Sequence, residues 1–118
     1  MTGLAGKRIL IVEDEPILAI ALEDMLADLG CAVVGPASRL EPALRLARHA
    51  AVDAAILDIN LHGETSHPVA DLLRARSIPI LFATGYGSAC GIGYEDVPVL
   101  PKPYRQDRLC ALLERLIG

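Results

Sequence analysis

Arg8-Ile9-Leu10-Ile11-Val12 runs straight into Glu13-Asp14, an apolar stretch that stops on carboxylates. The pattern returns three times along the chain. Ala54-Ala55-Ile56-Leu57 stops on Asp58, Ile80-Leu81-Phe82-Ala83 stops on Thr84, and Val97-Pro98-Val99-Leu100 leads through Pro101 to Lys102. Short apolar runs bounded by turn signals read as buried strands, and helical spacing fills the stretches between them, so the strands are expected to be parallel. In an open parallel sheet, ligands bind beyond the carboxyl ends of the strands. The sequence thus gathers two or three carboxylates, a hydroxyl and an ammonium at one edge. Carboxylates alone suit a cation; carboxylates with a lysine suit a cation and a phosphate together.

Between the strands, Pro16 stands where a helix opens. Ile17, Leu18, Ala21, Leu22, Met25, Leu26 and Leu29 follow as its inner stripe, and Gly30 is its stop. Ala32 to Gly35 reads as the second strand. Ser38-Arg39-Leu40-Glu41 reads as a capping box, with Leu40, Ala43, Leu44 and Ala47 facing inward behind it. A polar loop is expected from Asn60 to Ser66, a third helix from Pro68 to Arg76, and a fourth strand after Pro79. Gly85, Gly87, Gly91 and Gly93 each cost a helix about 1 kcal/mol relative to alanine, so any helix between Gly85 and Pro98 is expected to be short or mobile. The last helix starts near Gln106, with Leu109, Leu112, Leu113 and Leu116 inside. The fold expected is α/β: a flavodoxin-like (βα)₅ doubly wound parallel sheet, strand order 2-1-3-4-5, since crossovers are right-handed.

The 118 residues read as one domain, 1–118 with its core at about 7–117, without an output domain, linker or repeat. A hydrophobic content of 53% fits strands covered on both faces. The net charge of −4 leaves no electrostatic footprint for nucleic acid. No apolar run approaches the roughly 18 residues a membrane span needs, and no basic amphipathic segment suggests a membrane surface. Cys31, Cys90 and Cys110 form an odd set without a CxxC, and are expected to be reduced packing residues of a cytoplasmic protein.

With these residues in order, the chain resembles a receiver domain of bacterial two-component response regulators, from Lys7 to Ile117. The match rests on Ile11-Val12-Glu13-Asp14-Glu15, Leu57-Asp58-Ile59-Asn60-Leu61, Ala83-Thr84-Gly85 and Lys102-Pro103. Phe82-Ala83-Thr84-Gly85-Tyr86, with Gly63-Glu64 and Pro68-Val69-Ala70-Asp71, also resembles a subgroup named after its Phe-Ala-Thr-Gly motif. Its members are often single-domain proteins or attached to sensor kinases, and some serve general stress signalling. Two positions depart from the family pattern. Val99 stands where an aromatic switch residue is common, with Tyr86 and Tyr104 as possible substitutes. Leu61-His62 stands where a Met-Pro pair is common.

The resemblance implies that Asp58 is the nucleophile, forming an acyl phosphate by attack on a phosphohistidine. Glu13, Asp14, Asp58 and the backbone carbonyl of Asn60 would hold Mg²⁺ (or Mn²⁺), a cation that takes oxygen ligands and keeps several waters. Glu13 can instead orient those waters. Two carboxylates this close should raise one another's pKa when no cation is bound. Lys102 would pair with Asp58 and then with a phosphoryl oxygen, and Thr84 would give its hydroxyl to the phosphoryl group. The resemblance supports a cis peptide before Pro103. Asn60 and Tyr86 would control the approach of water. His49, His62 and His67 are expected on the surface or in loops.

The partners implied are a sensor histidine kinase or phosphotransfer protein and an unidentified downstream protein, with no nucleic acid and no membrane. The chain would act alone as regulator, shuttle or phosphate sink, as a monomer or a phosphorylation-linked dimer. It would catalyse only its own phosphorylation and dephosphorylation, and so would not be an enzyme in the usual sense. The alternative is a small Mg²⁺-dependent phosphohydrolase with an aspartyl-phosphate intermediate. It is disfavoured because Asp58-Ile59-Asn60 lacks the second acid of a DxD motif. A flavodoxin-like cofactor binder is disfavoured because Glu13-Asp14-Glu15 would repel a phosphate.

Overall fold

The computed structural model describes residues 3–85 and 91–118. Its elements run β1 (Arg8–Val12), α1 (Pro16–Asp28), β2 (Ala32–Ala37), α2 (Leu40–His49) and β3 (Ala54–Asp58). There follow β4 (Asn60–Leu61), β5 (Glu64–Thr65), α3 (His67–Ala75), β6 (Ile80–Thr84), β7 (Val99–Pro101) and α4 (Gln106–Ile117). The five long-range strands pair in parallel in the order β2-β1-β3-β6-β7, which is the flavodoxin-like order expected.

Period-two alternation splits the interior into two layers. Leu10, Val12, Ala55, Leu57, Ile80 and Phe82 face α2 and α3, where Ala43, Ala47, Val69, Ala70 and Leu73 meet them. Ile9, Ile11, Ala54, Ile56, Leu81 and Ala83 face α1 and α4, and pack on Leu22, Leu26, Leu109, Leu112 and Leu113. The next residues along β1 and β3, Glu13 and Asp58, therefore fall on the α1/α4 side.

Several boundaries differ from the sequence reading. β2 continues past Gly35 to Ala37, with a cis Gly35–Pro36 peptide and a register shift against β1. Gly35 has φ +94°, and a Cβ there would lie 3.0 Å from the Ile11 carbonyl oxygen, so glycine is required. Because the strand runs long, Ser38 stands one residue too early to cap α2. Arg39 is the N-cap residue, without a side-chain cap hydrogen bond, and the expected capping box does not form. In α1, Pro16 opens the helix as expected, but Ile17 is 81% exposed. Five residues separate Ile17 from buried Leu22, which at 100° per residue turns it well off the inner face.

The loop expected at 60–66 is instead a two-stranded hairpin, Asn60 opposite Thr65 and Leu61 opposite Glu64. Its two-residue turn, His62 (φ 50°) and Gly63 (φ 86°), has both central φ angles positive, the type I′ requirement. Third-helix bounds shift by one residue, to His67–Ala75. Among the described residues there are four helices. Any helix between β6 and β7 would involve residues 86–90, which lie outside the described residues, as do Tyr86 and Cys90. Cys31 is buried and Cys110 half-buried, both as free thiols. No helix among the described residues is long and apolar enough to cross a membrane.

Candidate functional site

The register of the sheet assembles the site. Val12 pairs with Leu57, so the next residues, Glu13 and Asp58, come side by side. Asp58 pairs with Ala83, and Thr84 with Pro101, which brings Thr84 and Lys102 to the same edge. The Lys102 N–H donates to the Thr84 carbonyl at 2.9 Å, fixing the start of the Lys102-Pro103 turn, whose peptide is cis as the resemblance implied. An open cleft of about 630 Å³ results, lined among others by Asp14, Asp58, Asn60, Thr84 and Lys102. The expected site residues thus meet in one place, and Glu13 lies buried beneath them.

Glu13, Asp14 and Asp58 each offer a carboxylate oxygen within 4.8 Å of the others. Lys102 Nζ stands 3.2 Å from Asp58 Oδ2, 3.5 Å from Glu13 Oε1 and 3.7 Å from Glu15 Oε1. One ammonium against this many carboxylates leaves excess negative charge in a poorly solvated place. Burial, hydrogen bonding with Glu13 and Asp14, and the charge of Glu13 push Asp58 up to about 8, against the pull of Lys102. Burial also lifts Asp14, but hydrogen bonds from Asp58 and from the His62 N–H outweigh it and leave its pKa lowered. Burial works against the charge on Lys102, and the attraction of Asp58 and Glu13 exceeds it, so this lysine is held protonated.

These carboxylates fit a hard divalent cation. Three acidic oxygens converge, two of the carboxylates are buried, and burial beside Glu13 and Asp14 raises the Asp58 pKa even with Lys102 alongside. Asn60 lines the same cleft, and its side-chain oxygen accepts the Gly63 N–H at 3.1 Å, which steadies the hairpin at the rim.

Three contributions escaped the sequence reading. The His62 backbone N–H donates to Asp14 Oδ2 at 3.1 Å, so the hairpin turn positions a site carboxylate. Exposed Glu15, just before Pro16, joins the acidic set around Lys102. Tyr104 is buried, and its hydroxyl donates to Glu13 Oε1 at 2.6 Å; burial and that bond raise its pKa. The signal for Tyr104 was available: a tyrosine near the core needs a partner for its hydroxyl. His67 also departs from a simple surface role. It is half-buried and stacks on Tyr94 with ring centroids 4.3 Å apart.

A five-stranded parallel sheet with three carboxylates and a lysine at its carboxyl edge defines a class, and the sequence agrees: the chain belongs to the response regulator receiver domain family, whose model matches residues 9–114. It is 32% identical over 114 residues to the phyllosphere-induced regulator PhyR of Methylorubrum extorquens, covering 92% of this chain. The chain spans only 43% of that relative's length. Among solved structures it resembles SdrG from Sphingomonas melonis Fr1, at 44% identity, TM-score 0.85 and full coverage of both chains. It also resembles the receiver domain of a sensor histidine kinase from Pseudomonas aeruginosa PAO1, at 29% identity and TM-score 0.81, covering 97% of this chain and 99% of that one. That receiver has a magnesium ion coordinated in its active-site cleft.

Proposed function

We propose that this chain is a phosphoacceptor: Asp58 takes a phosphoryl group from a phosphohistidine of a sensor kinase or phosphotransfer protein, and the charge change alters a partner-binding face. The observation that carries this reading is the Lys102 ammonium 3.2 Å from the Asp58 carboxylate, inside a cluster of three convergent acids. The P–N bond of the donor breaks as the Asp58 O–P bond forms. Asp14, Asp58 and the Asn60 carbonyl would hold Mg²⁺, with Glu13 in reserve or ordering its waters. When bound, Mg²⁺ neutralises charge on the nucleophile and the transferring oxygens. Lys102 supplies a fixed positive charge, and Thr84, at the rim of the cleft, donates its hydroxyl to the new phosphoryl group. Phospho-Asp58 adds charge and three acceptors at this edge, and drawing in Thr84 and Lys102 would shift residues 91–98.

The chain acts as a stand-alone regulator, shuttle or phosphate sink in the cytoplasm, and transforms no separate substrate. The run Phe82-Ala83-Thr84-Gly85-Tyr86 supports placing it in the Phe-Ala-Thr-Gly subgroup.

Intact mass after incubation with acetyl phosphate and Mg²⁺ tests the reading. One labile phosphoryl group is expected, absent in Asp58→Asn and with chelator. A folded protein that binds Mg²⁺ yet gains no mass from either acetyl phosphate or a phosphorylated histidine donor would overturn it.

A further inference from the structure

Four carboxylates and one ammonium meet at the carboxyl edge of the sheet. Lys102 Nζ lies 3.2 Å from Asp58, 3.5 Å from Glu13 and 3.7 Å from Glu15, and Asp14 stands in the same acidic cluster. Among the described residues that line the cleft, Lys102 is the only lysine or arginine. A bound divalent cation together with Lys102 would offset three of the four negative charges. Glu13, Asp14 and Asp58 converge on one another, so the charge left over belongs to Glu15. Its side chain is 62% exposed at the mouth of the cleft. It is also held there, because its N–H donates to Glu13 Oε2 at 3.3 Å and Pro16 opens α1 directly behind it.

That charge stands on the side from which a phosphodonor arrives. Asp58 is buried at the floor of the cleft, so in an in-line displacement the leaving group departs outward, past the mouth. With acetyl phosphate, the Asp58 O–P bond forms as the P–O bond to the acetyl group breaks, and the electron pair leaves on acetate as a full negative charge. With phosphoramidate or a phosphohistidine, the P–N bond breaks, and a leaving group that already carries a proton takes the pair and departs neutral. A carboxylate without a counter-charge at the mouth opposes the first departure more than the second, and a difference felt in the transition state changes relative rates. We propose that Glu15 is a specificity-determining residue for the phosphodonor: its charge disfavours small acyl phosphates relative to nitrogen-linked donors such as a phosphohistidine on a partner protein. The inference rests on the reading of Asp58 as the phosphoacceptor.

The test compares the unmodified chain with Glu15→Gln, Glu15→Asp and Asp24→Asn, the last at an exposed position of α1 about 12 Å beyond Pro16. Phosphoryl uptake from acetyl phosphate and from phosphoramidate is followed by intact mass, with Mg²⁺ saturating each variant. Amide NMR titration measures Mg²⁺ affinity separately. Glu15→Gln should speed uptake from acetyl phosphate by roughly fivefold and from phosphoramidate by less than about twofold. It should also weaken Mg²⁺ binding by roughly fivefold, because the charge that repels an anion attracts a cation. Glu15→Asp keeps the charge and Asp24→Asn removes one away from the cleft, so both should retain the donor preference and the Mg²⁺ affinity of the unmodified chain. A carboxylate that only steadies Lys102 would slow both donors together in Glu15→Gln, and that result overturns the proposal. So does an unchanged donor preference, an unchanged Mg²⁺ affinity, or an equal effect from Asp24→Asn. A folded, Mg²⁺-binding chain labelled by neither donor, nor by a phosphorylated histidine donor, would instead overturn the phosphoacceptor reading.

Discussion

Lys102 is buried to 13% side-chain exposure among carboxylates it cannot neutralise alone, so its contribution is to the charge on Asp58 rather than to packing. Burial raises Asp58 and Lys102 opposes that rise. Lys102→Met should therefore drive the Asp58 pKa higher still, visible as a shifted carboxyl titration by ¹³C NMR in metal-free protein. It should also slow phosphoryl uptake from acetyl phosphate by on the order of a hundredfold, the usual effect of losing one charge-stabilising donor. A titration unchanged by Lys102→Met would refute the assignment. The residues at strand ends were legible because a run such as Ala54-Ala55-Ile56-Leu57 cannot continue buried through Asp58. The Tyr104–Glu13 bond joins residues 91 apart, through a turn and a core contact that no local pattern encodes.

Residues 93–96, ahead of β7, are pinned to α3 by named contacts. The Tyr94 hydroxyl donates to Asp71 at 2.6 Å, and Arg74 reaches the Gly93 carbonyl at 3.1 Å and Asp96 at 3.3 Å. The Tyr94 ring also packs on His67 and edge-on to Phe82. Arg74 and Asp96 are largely exposed, so their ion pair contributes roughly 0–1 kcal/mol. Combining Tyr94→Phe with Arg74→Ala should thus lower global stability by no more than about 2 kcal/mol, while amide exchange over 91–97 accelerates and that of β3 holds. Equal acceleration in both would show that the segment is not a separate unit. Phe82→Ala provides the contrast, since it empties a fully buried position and should cost about 3–5 kcal/mol in denaturant unfolding. The elements themselves followed from periodicity, as α4 did from Leu109, Leu112 and Leu113. Their ends did not. The α2 cap failed because β2 extended through Gly35–Pro36, a backbone excursion decided by the close approach of Ile11, and the hairpin formed where only polarity was visible.

The cluster also sets how stability of the whole domain responds to pH. Asp58 has its pKa near 8 in the folded chain against 3.8 as the ordinary value. Between those values the metal-free folded state binds a proton that the unfolded state lacks, so stability must fall as pH rises through this window. One such proton gives at most about 1.4 kcal/mol per pH unit. Asp14 acts oppositely, since its pKa is lowered, but its contribution is lost only in acid, below the range where Asp58 matters. Metal-free protein should therefore melt at a lower temperature at pH 8 than at pH 6. Asp58→Asn removes the titrating carboxylate, so its melting temperature should vary less across the same interval. Mg²⁺ competes with the proton, and its stabilisation follows the concentration of free cation relative to its dissociation constant. Added Mg²⁺ should then raise the midpoint more at pH 8 than at pH 6, narrowing or reversing the difference between them. Thermal unfolding with chelator and with saturating Mg²⁺ at the two pH values checks both signs. A metal-free domain that gains stability from pH 6 to 8 would show that Asp58 is already ionised, with Lys102 sufficient to hold it so.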